Sequence, residues 1–139
     1  MTADELRALA RSGQPITALD LAGSDLQGAD LSGAVFERVS FRGARLEGAT
    51  LRGSLLGECE LGQAALDGAD LRQVVLDRCR AEGARLGEAR LGSARLLRCN
   101  LSGCDLVRGG APPDRLLLLP PRRRAPHPCS GYRELAPRL

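Results

Sequence analysis

The chain has 139 residues, contains no lysine or tryptophan and only one tyrosine and two phenylalanines, and carries a formal net charge of +3. This length suits one small domain, and the scarcity of aromatic residues means that its core must consist of aliphatic and small side chains. No apolar run reaches the roughly 18 residues of a membrane span, and the N-terminal stretch "MTADELRALARSGQP" contains acids where a secretory signal would be apolar. We therefore expect a cytoplasmic protein without a membrane span.

Residues 1–13 are predicted to form a short capping helix. Thr2 and Glu5 have the spacing of a capping box, in which two side chains satisfy backbone N–H groups at the start of a helix. Leu6, Leu9 and Ala10 are predicted to lie on one face of this helix. We expect that face to cover the open end of the segment that follows.

Residues 14–110 contain a repeat of five residues. A large apolar residue, which we call the centre, returns every five positions from Leu21 to Leu106, and 17 of these 18 centres are Leu or Phe, with Ala81 as the exception. The residue two before each centre is small in most units: Ala occurs nine times and Cys four times. Because a helix face recurs every 3.6 residues and a strand face every 2, a period of five fits neither. Each unit is therefore predicted to turn one large and one small side chain inward and three side chains outward.

A second period of 20 residues predicts how the units are arranged. The residue two after the centre is Gly in nine of the 18 units, but it is charged at four positions spaced by 20 residues. These four are Arg38, Glu58, Arg78 and Arg98. Four units per turn of a coil explain this spacing, so the chain is predicted to wind as a prism with four sides. Glycine fits a corner with positive φ on three sides, and the fourth side must turn without glycine.

The stretches "GADLSGA", "GADLRQV" and "CNLSGCDL" resemble the repeat of the pentapeptide-repeat family, and the resemblance covers residues 19–108. It implies an all-β solenoid, a right-handed quadrilateral parallel β-helix with four units per coil, in agreement with the 20-residue period. Successive coils would then lie about 4.8 Å apart, like parallel strands. The resemblance also favours a bacterial source.

Residues 111–139 form a tail of different composition. They contain seven of the eight prolines and have a net charge of +4 from six Arg and two acids, whereas residues 14–110 have a net charge of −1. This composition predicts a disordered tail. The alternative is that Leu116–Leu119 cover the open end of the last coil, which would otherwise present an unpaired strand edge.

The sequence predicts no catalytic residue, no metal site and no cofactor, and therefore no enzyme. The single histidine, His127, lies in the tail, so neither a Cys–His nor a Ser–His–Asp arrangement can be drawn within the coils. Cysteines occupy the small inward position in four units, where they are expected to replace Ala as small apolar residues. These are Cys59, Cys79, Cys99 and Cys104. Asp at the position before the centre is expected to contact backbone or solvent on the outside of the coil.

Two surface patterns are candidates for binding a partner. On the fourth side, the residue before the centre is apolar in three successive coils, and we call these residues the strip: Val35, Leu55 and Val75. Leu97 is predicted to lie beside the strip, and the four charged corner residues Arg38, Glu58, Arg78 and Arg98 form its rim. An apolar surface with a charged rim is typical of protein-binding sites. A weaker candidate is a belt of four arginines, one on each side of a coil: Arg80, Arg85, Arg90 and Arg95.

These patterns favour a non-enzymatic protein-interaction scaffold or adaptor, whose partner is a second copy of the chain or another protein. Two alternatives rest on the resemblance. Some family members resemble DNA in shape and charge and protect or inhibit DNA gyrase, but they use a strongly acidic surface, unlike the nearly neutral body of this chain. The stretch "LRALARSGQPITALDLAGSDL" is similar to repeat modules associated with bacterial secretion systems, which would make the protein an accessory or adaptor module there. The arginine run at 122–124 is too short for strong nucleic-acid binding.

Overall fold

A computed structural model describes residues 2–105 and the backbone of Leu117–Leu119. The predicted disorder of residues 111–139 lies outside the described residues, except at those three positions. The first element is helix α1, Ala3–Arg11. Thr2 is its N-cap, and the Thr2 Oγ1 accepts a hydrogen bond from the Glu5 N–H at 3.2 Å. Thr2 therefore caps the helix through one of the two contacts of a capping box.

Helix α1 packs against the first coil through small and medium side chains. Leu6 is fully buried and Ala10 nearly so, and Ala3 packs against the same core. Leu9 is 40% exposed, so the prediction that it shares the covered face is wrong. The covered face is formed by Ala3, Leu6 and Ala10, and Leu9 lies at its edge. Within residues 2–105, the chain has no helix with the length and apolar character needed to cross a membrane.

The rest of the described chain winds into a parallel sheet on one side and isolated bridges on the other three. The strands are β1 (Ile16–Thr17), β2 (Val35–Glu37), β3 (Leu55–Gly57), β4 (Val75–Asp77), β5 (Arg95–Leu97) and β6 (Leu117–Leu119). They pair in chain order as parallel neighbours. From β1 to β5 the partners are 20 residues apart, as in the pair Val35 and Leu55, which confirms four units per coil. On the other sides, single residues 20 apart form parallel bridges, for example Asp20 with Ser40.

Strand β6 extends this sheet beyond β5 with a different spacing. Arg95 pairs with Leu117, so the last step is 22 residues long instead of 20. The backbone of Leu117–Leu119 thus lies next to the last complete strand, which is where the alternative expectation for the tail placed Leu116–Leu119.

The corners of the prism require a left-handed backbone conformation. In the turn from Leu26 to Ala29, the Ala29 N–H donates to the Leu26 carbonyl at 3.1 Å, and Gly28 has a φ of 66°. A positive φ at this place of a turn favours Gly. The fourth side turns at the rim residues Arg38, Glu58, Arg78 and Arg98, whose φ values are 52–56°. The turns without glycine therefore also adopt a positive φ. This conformation has a higher free energy for residues that carry a Cβ than for glycine.

The core is a stack of apolar side chains that point into the coils. Every described centre is buried, and Phe36 and Phe41 meet edge to face with ring centroids 5.1 Å apart. Ala81 interrupts the stack, because the centres of the coils before and after it are the larger Leu61 and Leu101. A void of about 20 Å³ lies at this level, lined by Ala81, Ala84 and surrounding leucines.

Candidate interaction surface

The strip lies on the outer face of the parallel sheet. Val35 pairs with Leu55 and Leu55 with Val75, so the three side chains stand in direct register on β2, β3 and β4. Leu55 is 40% exposed, and Val35 and Val75 are partly exposed. The next residue in the same column is Arg95, which pairs with Val75. The apolar column is therefore three coils long and ends at a charge.

A second outward column runs beside the strip and contains the sequence-predicted neighbour Leu97. Its residues follow the centres of β2 to β5, and Leu97 stands in register with Asp77, which pairs in turn with Gly57. Leu97 is thus one column away from the strip and level with Arg95. At Gly57 the column has no side chain, so nothing stands beside Leu55 on its own strand. The Glu37 side chain extends towards this space, since its Oε1 lies 3.8 Å from where a Cβ of residue 57 would be.

The rim borders the second column and carries charges of alternating sign. Arg38, Glu58 and Arg78 are exposed, and none of them forms an ion pair with another of residues 2–105. Arg98 behaves differently, because its guanidinium folds back onto Asp77, with Nη2 at 2.8 Å and Nε at 3.1 Å from Oδ1. The three rim residues without an ion pair therefore present the order positive, negative, positive along the edge of the strip.

The belt arginines are exposed but lie on four different sides of the prism. Arg80, Arg85 and Arg90 belong to three separate bridge columns, and Arg95 belongs to the strand side. Arg85 forms an ion pair with Asp67 at 3.3 Å, and Arg95 continues the column of the strip. Of the acids near the belt, Asp77 binds Arg98 and Glu82 accepts a hydrogen bond from Asn100. Four side chains that point in four directions cannot hold one ligand together.

The repeat aspartates act on the backbone at the corners. Asp20, Asp25, Asp30 and Asp70 each accept a hydrogen bond from the N–H two residues later, at 3.0–3.3 Å. Asp70 also receives two hydrogen bonds from the Arg72 guanidinium, at 2.9 and 2.7 Å. Hydrogen bonding to the Arg72 side chain holds the pKa of the Asp70 carboxyl below its usual value. These contacts stabilise turns, and they explain the position of Asp in the repeat without a catalytic role.

The inward cysteines line one corner of the core. Cys59, Cys79 and Cys99 are buried free thiols. Each donates to a carbonyl of the preceding coil, as in the contact of 3.2 Å between the Cys79 Sγ and the Leu56 carbonyl. Hydrogen bonding with the thiols of Cys59 and Cys99, together with burial, raises the pKa of Cys79. Cys104 fills the equivalent inward slot one unit further on and is also buried. In the part of the chain that the structure describes, no three His, Cys, Asp or Glu side chains are grouped so that they could hold a metal ion.

The family follows from the repeat itself. The family model of pentapeptide repeats, in eight copies, matches residues 20–57 and 54–92. The chain belongs to the pentapeptide-repeat family. No curated protein matches the sequence.

Solved structures of pentapeptide-repeat proteins have the same fold. One from the cyanobacterium Cyanothece 51142 has 19% identity and a TM-score of 0.71, covering 76% of this chain and 84% of its own. One from Nostoc PCC 7120 has 28% identity and a TM-score of 0.65, covering 84% of this chain and 95% of its own. A trypsin-treated form of QnrB1, a plasmid-mediated fluoroquinolone resistance protein, has 20% identity and a TM-score of 0.50, covering 76% of this chain and 70% of its own. These similarities confirm the pentapeptide-repeat β-helix that the resemblance implies and with which the 20-residue period agrees.

Two features of the strand side were missed in the sequence. Gly57 directly follows its centre, whereas the same position is Glu37 in β2, Asp77 in β4 and Leu97 in β5. The glycine at this position is visible in the sequence and could have indicated the missing side chain. The ion pair between Asp77 and Arg98 joins residues 21 positions apart. It crosses from one column to another, so no series of residues at a constant spacing of 20 could reveal it.

Proposed function

We propose that this pentapeptide-repeat protein is a non-enzymatic interaction module that binds a protein partner through the strip and its rim. The observation that carries the proposal is the register of three outward aliphatic side chains, with Leu55 exposed beside the space at Gly57. The part of Leu55 left in water is about 40% of a side chain whose full burial contributes about 1.5–3 kcal/mol. Covering it therefore supplies on the order of 1 kcal/mol.

The chemistry of the surface favours a protein over an ionic partner. Central aliphatic residues supply binding free energy when water is excluded, and charges at the edge set orientation more than strength. The strand side has both aliphatic and charged residues within three coils, whereas the belt has charged side chains that point in different directions. A flat, rigid sheet face suits an adaptor that holds its partner in one orientation.

Mimicry of DNA is disfavoured by the distribution of charge. Residues 14–110 contain 12 Arg against 13 acids, so their surface lacks the strong negative charge that an imitation of DNA requires. A role as an adaptor in a secretion system is compatible with the strip and differs from the main proposal only in the identity of the partner.

Affinity capture with matched variants tests the proposal. The strip variant carries Val35→Thr, Leu55→Thr and Val75→Thr, and the control carries Arg80→Gln, Arg85→Gln and Arg90→Gln. Arg95 stays unchanged in the control, because it continues the column of the strip. Both variants should keep the circular dichroism spectrum of the wild type, since all six side chains point outward.

We expect the strip variant to lose a protein that the wild type and the control both retain from the native cell. If the control loses that protein and the strip variant keeps it, the strip is ordinary sheet surface and the belt is the binding site.

A further inference from the structure

The outer face of the sheet carries two neighbouring rim charges of opposite sign, Arg38 and Glu58, which become complementary when the order of coils is reversed. We propose that the strip binds a second copy of this chain in antiparallel orientation, with the twofold axis parallel to the strands and midway between β2 and β3. This inference rests on the proposed function, because it names the partner of the same surface.

Symmetry limits the pairs that such a dimer can make. When two identical faces meet about an axis parallel to their strands, each column faces the same column of the other copy and the order of coils is reversed. Self-complementary contacts of this kind are the commonest mode of assembly. The position of the axis along the prism therefore decides which rim charges meet.

An axis at β3 or between β3 and β4 brings like charges together. With the axis at β3, Glu58 faces the partner's Glu58 and Arg38 faces the partner's Arg78. With the axis between β3 and β4, Glu58 faces the partner's Arg78, but Val35 faces the partner's Arg95 and Arg38 faces the partner's Arg98. Juxtaposed like charges and a covered unpaired charge both oppose association.

An axis between β2 and β3 removes these conflicts. Arg38 then faces the partner's Glu58, and symmetry makes this pair twice. Val35 faces the partner's Leu55, also twice, so the most exposed side chain of the strip is covered. Val75 faces the partner's Pro15, an exposed residue that precedes β1 and lies one position before Ile16, the residue in register with Phe36.

The second column fits the same arrangement. Glu37 faces the partner's Gly57, which has no side chain of its own and towards which the partner's own Glu37 extends. Asp77 faces the partner's Thr17, a neutral residue, and Arg78 faces the partner's Ala18. Apart from the two Glu37 carboxylates, which both extend towards the axis, no two charges of the same sign oppose each other among residues of β1 to β4 and their corners.

The area shared by the two copies limits the strength of the contact, because only four strands of each copy overlap. At about 4.8 Å between strands and about 3.3 Å per residue along a five-residue side, the shared face is roughly 20 Å by 15 Å. This area is well below the approximately 800 Å² per partner of a standard stable interface. We therefore infer a weak, concentration-dependent dimer whose register is set by the Arg38–Glu58 pairs.

Charge reversal tests the register. The variants are Arg38→Glu, Glu58→Arg and the double variant that carries both, studied as full chains by sedimentation equilibrium up to millimolar concentration. Arg and Glu both adopt the required positive φ at these two corners, so exchanging them preserves the turn. Each single reversal acts at both symmetric pairs, and we expect it to weaken self-association about tenfold or more.

Two restorations are expected if the pairs are intermolecular. The double variant should associate within about threefold of the wild type, because each pair is re-formed with reversed signs. An equimolar mixture of the two single variants should also associate, since Glu at 38 in one copy then meets Arg at 58 in the other, and the second pair keeps its native residues.

The variant Arg78→Glu is the control for the position of the axis. It should change association less than threefold, because Arg78 faces the partner's Ala18. If the axis lay between β3 and β4, Arg78→Glu would weaken the dimer and Arg38→Glu would strengthen it, and that result would overturn the proposed register.

The outcomes separate this inference from the proposed function. A wild-type chain that stays monomeric at millimolar concentration overturns the dimer, while strip-dependent capture of a different protein would leave the interaction surface in place. Self-association that survives both single reversals and the strip variant would also overturn the dimer, because it would place the contact outside the strip and its rim.

Discussion

The void beside Ala81 predicts that a larger side chain at this position stabilises the fold. Ala81 is 2% exposed and is the one centre from Leu21 to Leu101 without a large side chain. The void at its level is about 20 Å³ and is lined by apolar groups, among them Leu61 and Leu101. Ala81→Leu directs three additional carbons into this space.

The expected gain lies between two limits. Complete burial of three carbons at about 0.8 kcal/mol each would contribute about 2.4 kcal/mol. Filling only the observed 20 Å³, at about 24 cal/mol per Å³, would contribute about 0.5 kcal/mol. Because the void is smaller than three carbons, neighbouring leucines must shift slightly, and we expect a net gain of about 1 kcal/mol in the free energy of unfolding. For a domain of this size, that gain corresponds to about 4–8 °C in Tm.

Urea denaturation followed by circular dichroism measures this gain, with Ala64→Leu as the control. Ala64 is a fully buried residue of the small inward position, and it does not line the void. The control should lose about 1–3 kcal/mol through overpacking. A fall in stability for Ala81→Leu similar to that of the control would refute the reasoning, because it would show that the coil cannot admit the added carbons.

Three further predictions concern the corners, an ion pair and the buried thiols. Gly33→Ala should destabilise the protein by about 1 kcal/mol, because Gly33 has a φ of 69° and no atom within 4 Å of the added Cβ, so the backbone alone is responsible. Gly57→Ala lacks this penalty and should be neutral or stabilising by up to about 1 kcal/mol in the same denaturation assay. Asp70→Asn keeps an oxygen for the Arg72 N–H but loses the ion pair, and should cost about 0.5–1 kcal/mol at pH 7. Since the folded-state pKa of Asp70 is lowered, the stabilisation by Arg72 is complete above the unfolded-state pKa of about 3.9 and is lost as the pH falls through the folded-state value. The two proteins should therefore converge in stability at low pH, and a constant difference down to pH 2 would contradict this cause. Cys79 should react with a thiol reagent only as fast as the coils open, because hydrogen bonding with the neighbouring thiols and burial raise its pKa, and burial excludes the reagent. A labelling rate that does not change with denaturant would show that the thiol is already accessible.

The inward and outward assignment of side chains is largely encoded locally. The five-residue period separates large inward, small inward and outward positions, and the described centres are all buried as this period requires. The 20-residue spacing was also sufficient to align Val35, Leu55 and Val75, because identical coil lengths place residues 20 apart in neighbouring strands. Thr2 and Glu5 were correctly read as helix-capping residues, since that interaction spans three residues of local chain.

Only the tertiary structure shows how side chains of neighbouring columns are placed relative to one another. It places Leu97 one column away from the strip, turns Arg98 away from the rim onto Asp77, and leaves an open space between Leu55 and the end of β3 at Gly57. It also exposes Leu9, because the direction in which α1 crosses the first coil selects Leu6 and Ala10 for burial. The physical reason is that the repeat fixes the position of each Cα, whereas a long side chain such as arginine reaches across columns and takes the geometry that its neighbours in other coils allow.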